Sequence, residues 1–172
     1  MRCHQSHLMK TPPLTSWIKN LAHPARTTIA TVLALLAARI LGLPEVYWAP
    51  ISTLIVMQSN LGTALTISGQ RLAGTALGSL AGALLVTGFG PSLPAYAAGI
   101  FGLGVICALL RLDRPAYRFA GVTLTVVMLI AHAHETVWVT AFHRFAEVSV
   151  GIAVGVIVIA LWPENPANKK TI

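Results

Sequence analysis

Arg144 and Glu147 are the charged residues most able to do chemistry, because they lie inside an apolar stretch at residues 137–162. A charge at the centre of a membrane-spanning helix costs about 2.5–3.5 kcal/mol on insertion scales, so such residues mark a transport pathway or a structural ion pair. Side chains three positions apart share one face of a helix. The pair therefore has two interpretations. It either locks helix packing, or it forms an anion site at Arg144 with Glu147 as a neutralising or proton-carrying partner.

Five other apolar stretches must position this pair; they lie at residues 27–41, 47–58, 72–89, 95–110 and 119–131. The mean hydropathy of +0.73 and the charged fraction of 10% are typical of membrane proteins. We therefore predict an all-α membrane protein with six transmembrane helices. The second stretch is short for a span of about 20 residues and predicts a short or partly broken helix. We expect cytoplasmic tails at 1–24 and 164–172 and one six-span domain at 25–163.

The charges outside the apolar stretches predict the orientation. Lys and Arg lie before the first stretch, between the second and third, between the fourth and fifth, and after the sixth. The other three connections contain neither residue type. Because Lys and Arg stay on the cytoplasmic side, both termini are expected in the cytoplasm. The net charge of +7 is then explained by Lys and Arg in the cytoplasmic connections and tails, and it gives no reason to expect a nucleic-acid partner.

An internal repeat relates the two halves of the sequence. Residues 70–73 read QRLA and residues 143–146 read HRFA, and the same spacing of 73 relates Gly78 to Gly151. In each half a second glycine follows four positions later, which gives a smooth face for close helix packing. Two copies with three spans each must face opposite ways. The repeat thus indicates two inverted three-helix units, as in many transporters.

Five further side chains are candidates for contact with a transported anion. Arg71, the repeat mate of the arginine in the sixth span, is expected near the cytoplasmic end of the third, where it binds an anion or extends into the headgroups. Arg39 has the same two interpretations near the outer end of the first span. Gln58 and Asn60 add polar groups at the end of the second. Trp48 fits either a substrate site or the aromatic belt at the outer interface.

Enzymatic chemistry has no support in the sequence. There is no phosphate-binding GxxxxGK[ST] motif and no GxSxG motif. His132, His134 and His143 with Glu135 do not have the HExxH spacing of a zinc site. We therefore expect no enzyme, no catalytic residue, no metal and no cofactor.

Four segments of the chain resemble a known family. They are 43–54 (LPEVYWAPISTL), 58–63 (QSNLGT), 70–78 (QRLAGTALG) and 144–163, which begins RxxExxxG and ends WP. In this order they are similar to the membrane domain of the fusaric-acid-resistance or aromatic acid exporter family. The resemblance covers residues 26–163, and its RxxGTxxG element is the most specific part.

The resemblance implies efflux of aromatic or other organic acid anions across the bacterial inner (plasma) membrane, driven by the proton gradient. Related plant malate channels share the six-span plan and assemble as dimers. The chain shows one six-span unit, without a second unit or a large cytoplasmic domain, so we expect a homodimer in the lipid bilayer. Two alternatives stay open. One is a passive anion channel, which needs no proton coupling, and the other is a non-transporting accessory membrane subunit.

Overall fold

The computed structural model describes residues 14–58, 60–129 and 136–162. Within these ranges the chain forms six α-helices, as the apolar stretches predicted. They are α1 (Leu14–Ile40), α2 (Trp48–Val56), α3 (Leu61–Phe89), α4 (Leu93–Leu109), α5 (Arg114–Leu129) and α6 (Val137–Leu161). The class of the fold is therefore all-helical over the described residues.

Three of these helices are long and apolar enough to cross a membrane, namely residues 21–40 of α1, all of α3 and all of α6. α4 is apolar but has only 17 residues, and α5 has 16. α2 has nine residues. At 1.5 Å per residue α2 is about 14 Å long, which is less than half of a hydrocarbon core of about 30 Å. The prediction of a short second helix is thus confirmed.

α3 and α6 form the centre of the bundle. α3 packs on α5 and α6, α2 packs on α6, and α1 and α4 lie against these pairs. Glycine allows the closest approaches: a Cβ at Gly78 would overlap the carbonyl oxygen of Ala120 in α5, and one at Gly151 would overlap that of Ala49 in α2. The glycine faces predicted from the sequence therefore allow α2 to pack closely on α6 and α5 to pack closely on α3.

The boundaries of the first three helices differ from the predicted ones. α3 begins at Leu61 and not near residue 72, because the Asn60 side chain caps it by accepting a hydrogen bond from the N–H of Gly62 at 2.8 Å. Thr and Ser residues in its first turns had lowered the local hydropathy and hidden this part of the helix. α2 ends at Val56, two residues before the end of the predicted stretch. α1 begins at Leu14, so part of the expected N-terminal tail is helical.

Arg26 joins three helices at one end of the bundle. It is fully buried in α1, and its guanidinium donates to the carbonyl oxygens of Gln58 and Trp162, both at 2.9 Å. These carbonyls follow the last residues of α2 and α6. The C-terminal end of a helix carries unpaired carbonyls and a partial negative charge, which a buried cation stabilises. Arg26 thereby holds the ends of α2 and α6 against α1.

The Gly151 contact makes a testable prediction about stability. Gly151→Ala should destabilise the protein by about 1–3 kcal/mol, because the added methyl group meets backbone that cannot move freely. Gly102→Ala in α4 is the control, since a Cβ there meets nothing within 4 Å. It should be neutral or stabilising by about 0.4–1 kcal/mol. Thermal unfolding, followed by dye labelling of the buried Cys107 in a Cys3→Ser background, measures both. Equal unfolding midpoints for the two variants would contradict the packing described here.

Candidate functional site

Arg144 and two carboxylates form a cluster of charged side chains near the start of α6. The Arg144 guanidinium is 3% exposed, with Nη2 at 2.5 Å from Glu45 Oε2 and Nη1 at 3.5 Å from Glu147 Oε2. Glu147 is 1% exposed, and the Glu147 Oε1 accepts a hydrogen bond of 2.8 Å from the backbone N–H of Glu45. Two carboxylates therefore share one guanidinium. The short contact belongs to Glu45, while the sequence neighbour Glu147 lies farther away.

The connection between α1 and α2 brings Glu45 to this cluster. Gly42 turns the chain after α1 with a φ of +66°, a conformation that favours glycine. Glu45 Oε2 then accepts hydrogen bonds of 2.9 Å from the Tyr47 hydroxyl and from Trp48 Nε1. Partial burial raises the pKa of the Tyr47 phenol, and its hydrogen bond to Glu45 raises that pKa further, so Tyr47 remains a donor at neutral pH.

Trp48, the first residue of α2, covers one side of the Arg144 guanidinium. Its ring centroid lies 4.2 Å from Arg144 Cζ, which is a close cation–π contact. Trp48 thus contacts Arg144 with its ring and Glu45 with its indole N–H. Of the residues predicted from sequence, the structure brings Arg144, Glu147 and Trp48 together.

Arg71 forms a second buried site of different character. It is 5% exposed, its Nη2 donates to Ser52 Oγ at 3.1 Å, and its Cζ lies 4.9 Å from the ring centroid of Phe119. Among the described residues, no carboxylate lies within ion-pair distance of Arg71, and the Arg71 Nε donates no hydrogen bond. Burying an uncompensated charge is costly. Arg71 is therefore the cation that an incoming anion would stabilise most.

Helix α2 contacts both arginine sites. Ser52 donates its hydroxyl hydrogen to the carbonyl oxygen of Trp48, one turn earlier, at 2.8 Å. Thr53, the next residue, donates to the carbonyl oxygen of Gly151 in α6 at 2.8 Å. The ring over Arg144 and the hydroxyl on Arg71 are therefore carried by one short helix, and a shift of α2 relative to α6 would change both sites.

A polar stripe runs along the buried face of α3. It consists of Ser68, Arg71, Thr75 and Ser79, each at most 6% exposed. Their spacing of three and four positions places them on one side of the helix. The hydroxyls of Ser68 and Ser79 have no hydrogen-bond partner in the described part of the chain. The stripe extends for about 16 Å at 1.5 Å per residue, and it offers hydroxyl donors on both sides of the arginine.

The expected position of Arg71 was wrong. The sequence placed it near the cytoplasmic end of the third span, with extension into the headgroups as one interpretation. The structure places it ten residues into α3, about 15 Å from the helix start at 1.5 Å per residue. Because α3 begins at Leu61, the arginine lies inside the bundle.

The remaining candidates lie apart from both arginine sites. Arg39 is exposed in the last turn of α1. Gln58 offers its carbonyl oxygen to Arg26, and Asn60 caps α3. The histidines and glutamate between 132 and 135 lie outside the described residues. Elsewhere, the described residues contain no group of three or more His, Cys, Asp or Glu that could hold a metal ion.

Sequence reasoning missed three residues that contact the arginines, namely Glu45, Ser52 and Phe119. Glu45 was recognisable as one of only five Asp and Glu residues, directly before the aromatic pair that ends at Trp48. Phe119 carried a signal in the repeat, because it follows Trp48 by 71 positions, close to the spacing between the two arginines. Ser52 had no signal that distinguished it from other helical serines.

Long apolar helices that enclose paired charges define a multi-pass helical membrane protein. The chain belongs to the fusaric acid resistance protein-like family, whose model matches residues 33–158.

Curated relatives agree with this family. The chain is 26% identical over 150 residues to "inner membrane protein YeeA" of Escherichia coli K12, which covers 84% of this chain and 42% of that protein. It is 33% identical over 150 residues to "uncharacterized transporter YdhK" of the same strain, which covers 81% of this chain and 22% of the relative. The Salmonella typhimurium YdhK is 32% identical over 165 residues, which is 88% of this chain and 24% of that protein. The chain thus spans less than half the length of these relatives. No solved structure matches it.

The charge cluster predicts how two variants differ in stability. Arg144→Leu should destabilise the protein by about 3–5 kcal/mol at mildly alkaline pH, because two carboxylates lose their cation. The double variant Arg144→Leu/Glu147→Gln should be destabilised much less, since the one remaining carboxylate, Glu45, is 28% exposed and reaches water. Thermal unfolding of both purified variants in one detergent gives the comparison. If the double variant is no more stable than the single one, the two carboxylates do not depend on Arg144.

Proposed function

We propose that the chain is a six-span inner-membrane transporter that exports small organic acid anions, with Arg71 as the residue that meets the anion. The observation that carries this proposal is a buried guanidinium with a hydroxyl and an aromatic ring around it, but no carboxylate among the described residues. The family description refers to resistance to fusaric acid, and two relatives are named transporters. Both favour movement of an organic acid across the membrane.

An inverted repeat is part of the proposal, and contacts in both halves support it. The ring of Phe119 lies over Arg71, and the ring of Trp48 lies over Arg144. Arg144 follows Arg71 by 73 positions, and Phe119 follows Trp48 by 71. The pattern of packed helix pairs stays the same when α1, α2 and α3 are exchanged with α4, α5 and α6. α2 against α6 is thus the counterpart of α5 against α3.

The two halves differ in their carboxylates. By these spacings Glu147 corresponds to Gly74, and Glu45 corresponds to Ala116. Gly74 lies so close to Ala116 that an added Cβ would overlap its carbonyl oxygen, so packing fills the place that a carboxylate would take. Arg144 therefore has fixed counter-charges, whereas Arg71 has none among the described residues. This difference supports Arg71 as the site of the exchangeable anion.

The polar stripe of α3 supports a path for the anion that passes Arg71. Three members of the stripe, Ser68, Thr75 and Ser79, correspond in α6 to apolar residues, namely Ala141, Val148 and Ile152. Polar groups inside a membrane protein usually face a pathway or a partner. Hydroxyls along α3 would exchange hydrogen bonds with a carboxylate as it passes Arg71. A planar guanidinium pairs with a carboxylate through two parallel hydrogen bonds, which suits an organic acid.

A homodimer completes the proposal, because one bundle of this size leaves little room for a passage. The glycine faces do not supply the dimer interface, since α2 and α5 cover them within one chain. Exposed apolar side chains of the outer helices, among them Leu36 in α1 and Phe101 in α4, remain for contact with lipid or a second copy.

Flux through reconstituted vesicles tests the function. The parent protein should release a trapped aromatic or aliphatic carboxylate faster than empty vesicles do. Arg71→Leu should lower this rate about 10- to 100-fold, which corresponds to about 1.5–3 kcal/mol for hydrogen bonds to a charged group. Arg114→Leu is the control, because it removes the same charge from an exposed position at the start of α5.

Each other outcome opposes a specific part of the proposal. Transport at the parent rate by a folded Arg71→Leu protein would exclude Arg71 as the anion site. Loss in Arg144→Leu/Glu147→Gln without loss in Arg71→Leu would move the site to Arg144. A folded parent protein that transports none of the acids would favour the accessory-subunit alternative.

Cysteine labelling tests the proposed orientation. In a Cys3→Ser background, a cysteine in place of Pro91 should react with an impermeant thiol reagent added outside intact cells. A cysteine in place of Asp113 should react only after the membrane is opened. Both positions are exposed and lie in the connections before and after α4, while Cys107 is buried. The reverse pattern of labelling would overturn the arrangement with cytoplasmic termini.

A further inference from the structure

The carboxylates around Arg144 are unequal in their surroundings. Glu45 accepts three side-chain hydrogen bonds on Oε2, from Arg144, Tyr47 and Trp48, and is 28% exposed. Glu147 is 1% exposed, receives one backbone N–H, and lies 3.5 Å from the guanidinium. Glu45 is therefore the better compensated carboxylate, while Glu147 has the weaker compensation and the deeper burial.

The charge count of the cluster is also uneven. Two carboxylates and one guanidinium leave one net negative charge, and two of these three side chains, Arg144 and Glu147, are at most 3% exposed. Arg144 Nε and Nη1 donate no hydrogen bond within the described residues, so the guanidinium compensates Glu147 only through the longer ion pair. A net charge in an apolar interior is costly unless another charge neutralises it. One proton on a carboxylate would make the cluster neutral.

Among the described residues, no other titratable side chain forms an ion pair with either carboxylate. On α6, His143 directly precedes Arg144 and has an interaction of its own. On α1, Arg39 is exposed in the last turn. On α3, Arg71 bonds Ser52 and not the carboxylates. α2 contains no titratable residue.

The described part of α5 also makes no ionic contact with the cluster. Its titratable residues, Arg114, Tyr117 and Arg118, all lie in its first two turns. Over the ranges that the structure describes, the titratable members of the cluster are therefore Glu45, Tyr47, Arg144 and Glu147.

We propose that Glu147 is a proton-binding site, which takes up a proton from water by way of the partly exposed Glu45 region and binds it more tightly when an anion occupies Arg71. The proton adds to a carboxylate oxygen of Glu147, and the cluster changes from one net negative charge to none. Helix α2 connects the events, because Trp48 covers Arg144 while Ser52 bonds Arg71. Coupling to transport rests on the function proposed above, whereas proton binding itself does not.

Infrared difference spectra of the full chain in lipid discs test proton binding without any transport assay. Between mildly acidic and mildly alkaline buffer, the parent protein should lose the C=O band of a protonated carboxylic acid. Exposed carboxylates are already ionised over this range. Glu147→Gln should lack the band, and Asp113→Asn, which removes an exposed carboxylate at the other end of the bundle, should keep it.

A labelled parent protein keeps the test open if Glu147→Gln fails to fold. Heavy-isotope labelling of glutamate side-chain carboxyls should shift the band, and labelling of aspartate should not. The absence of a titrating band in the folded parent protein, its persistence in Glu147→Gln, or a shift with labelled aspartate would each overturn the proton site.

Flux measurements then test the coupling separately. An acidic exterior should accelerate organic acid export by the parent protein, and Glu147→Gln should lose that acceleration while it keeps flux down a concentration gradient. Acceleration that persists in Glu147→Gln would overturn the coupling. A titrating band in a parent protein that transports nothing would support the proton site and oppose the transport function.

Discussion

The cost of burying cationic side chains among apolar helices governs the interior of this protein. Three arginines are at most 5% exposed, and each has a different compensation. Arg26 donates to carbonyl oxygens that follow helix ends, and Arg144 pairs with two carboxylates. Arg71 has only a hydroxyl and an aromatic ring in the described residues. Since the first two bond to carbonyl or carboxylate oxygens of the chain itself, the third is the one whose environment would change most on binding of an anion.

Glycine packing determines where those compensations are. The short helices α2 and α5 sit against glycine faces of α6 and α3, with carbonyl oxygens where a Cβ would otherwise stand. This close approach places Trp48 over Arg144 and Phe119 over Arg71. A larger residue at Gly151 would move α2 outward, and the ring and the hydroxyl that it carries would leave both arginines. Backbone packing and charge compensation are therefore one constraint in this bundle.

Much of this arrangement could be read from the sequence, and the part that could not has a physical reason. Hydropathy located all six helices, the short second one included, because apolar composition is a local property. The start of α3 was missed because its first turns contain Thr, Ser and Gly residues, whose low hydropathy an average treats as a loop. The Glu45 contact to Arg144 spans 99 positions, and no local pattern encodes such a pairing. The sequence neighbour Glu147 was found instead, although its ion pair is the longer one.

The asymmetry between the two halves links the proposed proton site to the proposed anion site. The Arg144 cluster has one net negative charge and Arg71 has one positive charge, and α2 contacts both. While both charges persist, each lowers the cost of burying the other. An anion at Arg71 removes the positive charge from this balance, and a proton at Glu147 removes the negative one. Each event alone leaves an uncompensated charge inside the bundle, whereas the two together leave none. Coupling would then follow from electroneutrality of the interior, with α2 adding a mechanical contact between the sites.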